Sequence, residues 1–382
     1  MRVCFWGTFD VGHVRSRVLM GGLEQAGARV EVCHHPLWRE RDERVAQTAK
    51  GGLSLALLAR AIAAYCELCV RLLTMPRPDV VVVGYPGQID ALVAYPICRL
   101  RRVPLVLDAF LSLYETAVDD RGLLPRRSWR ARLLWRMERL ACRAADLVLL
   151  DTEADCAFFR ALYGGGHYVR VWVGALEPAG PLTPRAATRD DTYDVLFVGT
   201  FIPLHGIEYI LGAAALLGDS APEVRFTFIG HGQTYDQMRA LGKDLALDNV
   251  VWGAHWLEGT ELVERSARAD LVLGVFGASA KAQRVIPAKA YAALALGRPL
   301  LTADTPGSRE ALAHNETAFL CPPADSAALA EAIRAVRANP ELAERVAANG
   351  LALYRERFAP RPIGQLLLES LRPLVNRAGD AP

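Results

Sequence analysis

The sequence predicts an α/β protein with two doubly wound parallel-sheet domains that face each other across a cleft. In both halves of the chain, short apolar runs with strand character alternate with longer helical patterns, as in a parallel sheet covered by helices. Between the halves, residues 177–192 are rich in proline and polar side chains, which is typical of a linker. We therefore expect two Rossmann-like domains, residues 1–176 and 193–358, whose strands end at a ligand-binding cleft.

The first domain is predicted to begin with a strand, Val3–Trp6, and a loop that contains Gly12 and His13. Asp108 directly follows a later apolar run, so its side chain is expected at the carboxyl edge of the sheet, facing the cleft. The further strands expected in this half are Arg29–Cys33, Asp79–Val83, Pro104–Leu107 and Leu147–Leu150.

The second domain repeats the alternation from Tyr193 onward. Three helical patterns close the chain, and the last of them lies within residues 359–382. The strands expected in this half are Tyr193–Val198, Val224–Ile229, Val250–Trp252, Leu271–Phe276, Pro299–Thr302 and Phe319–Cys321.

Composition excludes several classes of protein. The net charge is +2, with 44 basic and 42 acidic residues, so a polyanion-binding surface over the whole protein is not expected, and no nucleic-acid module is recognised. The only CxxC, at Cys66–Cys69, has no second cysteine or histidine pair at metal spacing, so no metal site is predicted.

The apolar stretch Leu53–Leu73 contains three charged residues, which favours a packed helix over a membrane span. With no signal-peptide pattern before the first strand, a cytoplasmic protein is expected.

The segment from Lys281 to Thr302 indicates an anion site. It follows a strand, and Pro287 and Gly297 predict where a helix begins and ends. Lys281, Arg284 and Lys289 would therefore lie at the carboxyl end of a parallel strand, near a helix N-terminus that favours anions. A phosphate-holding loop and a merely solvated basic loop are both open on these residues.

Several motifs resemble the family 4 glycosyltransferases of the GT-B fold, the glycosyl transferases group 1 type. The resemblance extends over nearly the whole chain and is most specific in the second half. In the first half, Gly7–His13, Asp108 and Glu138–Asp146 also fit. The segments that carry it in the second half are Asp194–Glu208, Phe228–Gly232, Asn249–Trp256, Ala288–Pro299, Thr305–Glu310 and Asn315–Pro322.

The resemblance implies transfer of a sugar from an activated donor, usually a nucleotide sugar, to an acceptor hydroxyl with retention of the anomeric configuration. It implies no catalytic metal and no cofactor besides the donor substrate. The donor domain would be the second one and the acceptor domain the first, with residues 359–382 packed back on the first domain. The acceptor would be a glycan, a lipid-linked glycan or a small molecule.

Two departures from the family pattern keep alternatives open. Arg284 and Ala292 stand where two glutamates are common, and His205 stands where a lysine is usual. A nucleotide-sugar epimerase of the same fold, or an inactive binding subunit, are the alternative interpretations.

Fixed cations stabilise the negative charge that develops on a leaving phosphate, so Lys281, Arg284 and His205 are the predicted phosphate-side catalytic residues. On the acceptor side, Asp108 is expected to position the acceptor hydroxyl or act as a base, and His13 to contact sugar or acceptor. Each also has a plain structural interpretation, as a turn, cap or loop residue. The predicted donor-binding residues are Gly12, Gly199, Thr200, Gly230, Gly232, Trp256, Gly277, Lys289 and Glu310.

The stretch Arg126–Arg136 combines five arginines with two tryptophans. It could rest on an anionic membrane, which would suit a lipid-linked acceptor. The plainer interpretation is an exposed basic helix with both tryptophans turned inward.

Overall fold

The structure, a computed structural model, describes residues 1–37, 55–178, 180, 192–218, 220–257 and 259–379. Within these ranges the chain forms two six-stranded parallel sheets, each with helices on both faces. The prediction of a two-domain α/β fold is therefore confirmed. Most of the predicted linker, residues 177–192, lies outside the described ranges.

The first sheet has the strand order β2-β1-β3-β4-β5-β6. The predicted strands are present, and the sheet has a further short edge strand, β6, that the sequence does not predict. The strands are β1 (Arg2–Gly7), β2 (Arg29–His34), β3 (Val80–Val83), β4 (Leu105–Phe110), β5 (Leu147–Leu150) and β6 (Tyr168–Arg170).

Successive side chains of these strands point to opposite faces of the sheet, and each face is covered by its own helices. Helices α2, α3, α5 and α6 pack on one face and α1 on the other. The helices of this half are α1 (Val14–Gln25), α2 (Leu55–Thr74), α3 (Gln88–Arg101), α4 (Leu113–Glu115), α5 (Trp129–Ala144) and α6 (Glu153–Tyr163).

The second sheet has the order β12-β11-β10-β7-β8-β9. Strand β10 is shorter than predicted, since the loop that leads to the cleft starts at Gly274. The strands are β7 (Tyr193–Val198), β8 (Val224–Ile229), β9 (Val250–Trp252), β10 (Leu271–Leu273), β11 (Leu300–Ala303) and β12 (Phe319–Cys321). The helices are α7 (Ile207–Gly218), α8 (Tyr235–Asp244), α9 (Gly259–Ala267), α10 (Ala288–Ala295), α11 (Pro306–Arg309), α12 (Ser326–Ala338) and α13 (Pro340–Leu353).

The C-terminal helix α14 (Pro360–Gly379) returns to the first domain and lies along α1. A Cβ on Gly22 or on Gly364 would overlap backbone atoms of the other helix, so glycine at both positions allows the two backbones to approach closely. Ile363 and Leu367 share the core beneath with Val18. None of the helices in the described part of the chain is both long and apolar enough to cross a membrane.

Candidate active site

The carboxyl edges of the two sheets meet where the domains touch. Leu111, which follows β4, packs against four apolar residues of the second domain, Ile202, Leu204, Ala282 and Val285. The loops after β4, β7 and β10 are therefore neighbours. Doubly wound sheets bind their ligands at this edge, so the candidate site lies among these loops.

Lys289 lies in the first turn of α10 and points back toward the end of β7. Its ammonium nitrogen sits 3.7 Å from the centroid of the Phe197 ring. This nitrogen is buried and has no hydrogen-bond partner among the described residues. Burial holds the pKa of Lys289 well below its ordinary value, because an unpaired charge is costly away from water. The side chain is therefore placed to gain strongly from an anion.

His205 ends a short 3₁₀ turn, Pro203–His205, beside Lys289. Its Nδ1 lies within hydrogen-bond distance of the Thr200 carbonyl oxygen, so we assign the hydrogen to Nδ1 and the lone pair to Nε2. Burial, followed by the charge of Lys289, holds the pKa of His205 well below its ordinary value. The imidazole is thus a neutral group at physiological pH rather than a cation.

Several glycines allow the loops after β7, β8 and β10 to approach one another closely. A Cβ on Gly199 would come within 2.8 Å of the Lys289 ammonium nitrogen, so glycine there leaves room for that side chain. Gly230 and Gly232 pack against the backbone of residues 199–201. Gly206 and Gly277 likewise bring two loops into backbone contact. Lys289, His205, Gly199, Thr200, Gly230 and Gly232 are therefore brought together around the end of β7.

Arg284 contacts the first domain instead. Its Nε donates to Asp155 Oδ1 at 3.0 Å, and its Nη2 pairs with Glu115 Oε1. The guanidinium also stacks 3.9 Å from the centroid of the Phe158 ring, and the Arg284 carbonyl oxygen accepts a hydrogen bond from Thr152 Oγ1 at 2.8 Å. Burial raises the pKa of Glu115, and the neighbouring guanidinium opposes that rise.

Lys281 also reaches across to the first domain. Its ammonium donates to Thr116 Oγ1 at 2.7 Å and lies 3.8 Å from Asp120 Oδ2. The lysine is almost fully buried, and burial lowers its pKa while Asp120 and Glu115 oppose that shift. The contacts of Lys281 and Arg284 favour a bridging role between the domains, and their assignment to a leaving phosphate stays a prediction.

Glu310, predicted to bind the donor, forms a third contact between the domains. Its two carboxylate oxygens accept hydrogen bonds from the backbone N–H groups of Glu153 and Ala154, at 2.7 and 2.8 Å. These are the first residues of α6, whose N-terminus favours negative charge. Arg170 Nη1 lies 3.6 Å from the same carboxylate.

Asp108 lies inside the first domain, which differs from its expected place on the cleft. The carboxylate accepts a hydrogen bond from Arg15 Nε at 2.7 Å, and both side chains are fully buried. A register shift between Asp108 and Phe110 interrupts the pairing of β4 with β5 at this point. Burial raises the pKa of Asp108 despite the nearby guanidinium. The pair joins α1 to β4. Arg15 Nη1 also donates to the carbonyl oxygen of Val171, the residue after β6, at 2.8 Å.

His13 caps the N-terminus of α1, where its Nδ1 accepts from the Arg15 backbone N–H at 3.3 Å. Its ring lies 5.6 Å from both Tyr85 and Phe110, centroid to centroid. These half-buried rings cluster at the carboxyl edge of the first sheet. Gly12 is exposed nearby, and Trp256 is exposed in the loop after β9.

Sequence reasoning missed the carboxylates that bind Lys281 and Arg284. Glu115 and Asp155 are 169 and 129 residues from Arg284, and Asp120 is 161 residues from Lys281, so no local motif links them. The sequence predicts Phe197, beneath Lys289, only as part of a strand. No group of three potential metal ligands occurs in the part of the chain that the structure describes.

Comparison with known proteins identifies the class. The sequence model for Glycosyl transferases group 1 matches residues 183–352, and the model for a Glycosyl transferase 4-like domain matches residues 12–171. These two matches together take in most of both domains. The chain belongs to the group 1 glycosyltransferases of the GT-B fold.

Three individual relatives share less than a quarter of their aligned residues with this chain. The alpha-D-kanosaminyltransferase of Streptomyces kanamyceticus is 24% identical over 294 residues, which are 72% of this chain and 71% of that protein. The structure of sucrose-phosphate synthase from Thermosynechococcus elongatus has a TM-score of 0.70 at 17% identity and covers 99% of this chain and 100% of its own. That of Anabaena HepE in complex with UDP has a TM-score of 0.67 at 16% identity, with 98% and 100% covered.

Proposed function

We propose that this glycosyltransferase moves a sugar from a nucleoside diphosphate donor to an acceptor hydroxyl, with retention of configuration and without a catalytic metal. One observation carries the proposal: the buried ammonium of Lys289, without a hydrogen-bond partner among the described residues, beside Gly199 at the end of β7. A diphosphate bound there would give this cation the partner that burial requires.

The structural neighbours support a nucleotide-sugar donor. Structures of Anabaena HepE are described with UDP and with UDP-glucose, and a further neighbour with UDP-2-fluoro glucose. These proteins share the fold with this chain at low sequence identity, so the choice of nucleotide and sugar is not transferred from them.

The leaving diphosphate gains negative charge as the glycosidic bond breaks, and a fixed cation stabilises that charge. Lys289 supplies it from a rigid helix, so the reaction needs no metal ion for this purpose. His205 is neutral and carries a lone pair on Nε2, so it accepts a hydrogen bond from a donor hydroxyl rather than binding phosphate as a cation.

The acceptor hydroxyl must lose a proton during transfer. Asp108 is fully buried and paired with Arg15, so we propose that the departing phosphate itself takes this proton and that Asp108 positions α1 through Arg15. His13, with Tyr85 and Phe110, forms the wall against which the acceptor or the donor sugar packs.

Isothermal titration calorimetry with UDP, GDP, ADP and TDP tests the donor proposal. We expect one nucleotide to bind, and Lys289→Met to weaken that binding. Lys243→Met is the matched control, since Lys243 is an exposed lysine in the last turn of α8. Failure of all four nucleotides to bind the unmodified protein would exclude these nucleotide donors, and equal binding by the Lys289 variant would move the phosphate site elsewhere.

A further inference from the structure

We propose that one face of the first domain docks on an anionic lipid bilayer. This outer face consists of the solvent-facing sides of α2, α3 and α5, which lie side by side over the same face of the first sheet. Docking is independent of the proposed donor and can be tested without any nucleotide.

Helix α5 carries the most distinctive part of the outer face. Trp129, Leu133 and Leu140 are 69%, 58% and 56% exposed. Their spacing of four and seven residues aligns them along one stripe of the helix. Trp129 therefore does not turn inward as the plainer interpretation of the sequence expected, whereas Trp135 is half-buried against Tyr163.

The charged residues of α5 are cationic wherever they are exposed. Its single carboxylate, Glu138, is fully buried and accepts hydrogen bonds from Gln88, Ser112, Tyr163 and the backbone N–H groups of Leu113 and Tyr114. The exposed arginines on and just before the helix are Arg126, Arg127, Arg130, Arg132, Arg136 and Arg143.

The neighbouring helices extend the apolar surface. Leu100, near the end of α3, is 76% exposed. The other exposed large apolar side chains of these two helices are Leu58, Ile62, Val70 and Leu73 on α2, and Ile89 and Tyr95 on α3. In the second domain the exposed large apolar residues are scattered over different elements instead: Leu216, Leu245, Val251 and Trp256. Exposed apolar side chains concentrated on three neighbouring helices favour an interaction site.

Charge decides which partner the outer face fits. Helices α2, α3 and α5 carry two, two and five arginines, and their exposed carboxylate is Glu67, which pairs with His35 and Arg71. Two copies of this face would repel each other, which argues against a symmetric dimer. Tryptophan with leucine and flanking arginine is the combination that lies in the interface of an anionic bilayer.

The outer face is linked to the candidate active site through α4. Glu138 of α5 binds the backbone at the start of α4, and Glu115, the last residue of α4, pairs with Arg284 of the second domain. A bilayer beneath α5 would therefore lie next to the segment that borders the cleft.

Sedimentation of the full chain with lipid vesicles tests the proposal. We expect binding to vesicles that contain phosphatidylglycerol, weaker binding to vesicles of phosphatidylcholine alone, and release as salt is raised. The triple variant Trp129→Ala, Leu133→Ala, Leu140→Ala should lose about tenfold or more in partitioning. The control variant Leu216→Ala, Leu245→Ala removes exposed leucines from the second domain and should partition as the unmodified chain does.

All five substituted side chains are exposed, so both variants should keep the unmodified melting temperature. Absence of binding to the phosphatidylglycerol vesicles would overturn the proposal, and so would equal binding by the triple variant. Light scattering gives a further check: a dimer that the triple variant converts to a monomer would assign the outer face to a second copy of the chain and also overturn it.

Discussion

Two parts of one short segment, residues 281–284 and the start of α10, carry cations with opposite surroundings. Lys281 and Arg284 bind side chains of the first domain, among them the carboxylates of Glu115 and Asp155. Lys289 has an aromatic ring beneath its ammonium, and that nitrogen has no hydrogen-bond partner in the described parts of the chain. The difference teaches that a basic loop at a strand end is not by itself an anion site, because neighbouring carboxylates can already satisfy it.

The direction in which each side chain leaves the backbone explains the contrast. Lys281 and Arg284 precede α10 and reach outward to α4 and α6 of the other domain. Lys289 lies within α10, on the side that faces β7, so its ammonium meets Phe197 and the Gly199 loop. One segment can thus join the domains at one end and hold a ligand at the other.

Arg284→Ala is expected to have the largest effect on stability, at about 3 kcal/mol, since it leaves two largely buried carboxylates without their cation. Chemical denaturation of the variant measures this loss. The double variant Arg284→Ala, Glu115→Gln should recover part of it, because one orphaned charge is then removed. A loss below about 0.5 kcal/mol would show that the contact between the domains does not depend on this arginine.

Lys289→Met should lower kcat/KM for sugar transfer by about 100-fold, the typical cost of removing one preorganised group that stabilises developing charge. The ligand-free variant should be at least as stable as the unmodified protein, since a buried polar group without a hydrogen-bond partner among the described residues has been removed. Initial rates and thermal unfolding measure the two effects. A variant that loses stability and activity together would indicate a structural role for the lysine.

Nucleotide binding should be accompanied by net proton uptake at Lys289. In the free protein, burial holds the pKa of Lys289 well below its ordinary value, and a bound diphosphate would raise it again. The unfolded lysine binds more protons than the folded one, so stability should also rise with pH toward the ordinary lysine pKa. Calorimetry in two buffers of different ionisation enthalpy counts the protons, and Lys289→Met should show less uptake.

Lys281→Met is expected to change nucleotide affinity by only about twofold, because its ammonium already has Thr116 and Asp120 as neighbours and a distant charge adds little. Calorimetric titration with the nucleotide that binds the unmodified protein measures the change. A loss of affinity as large as that of Lys289→Met would place Lys281 at the phosphate site and contradict the contrast between the two lysines.

The strand pattern, the order of elements and the family could be predicted because each rests on local sequence. Pro287 and Gly297 mark the bounds of α10 closely, and the segment 194–208 resembles its family without any tertiary information. The bridging contacts could not be predicted, since Arg284 and Glu115 are 169 residues apart and meet only when the domains pack. The rule for strand ends predicts Asp108 at the cleft, but β4 continues to Phe110, and Arg15, 93 residues earlier, fills the space beside the carboxylate.

A crystal structure of the protein with a bound nucleoside diphosphate tests the central claim most directly. We predict a phosphate oxygen within about 3 Å of the Lys289 ammonium nitrogen, with Arg284 still bound to Glu115 and Asp155. A diphosphate held by Lys281 and Arg284, with those carboxylates displaced and Lys289 without contact to it, would contradict the account.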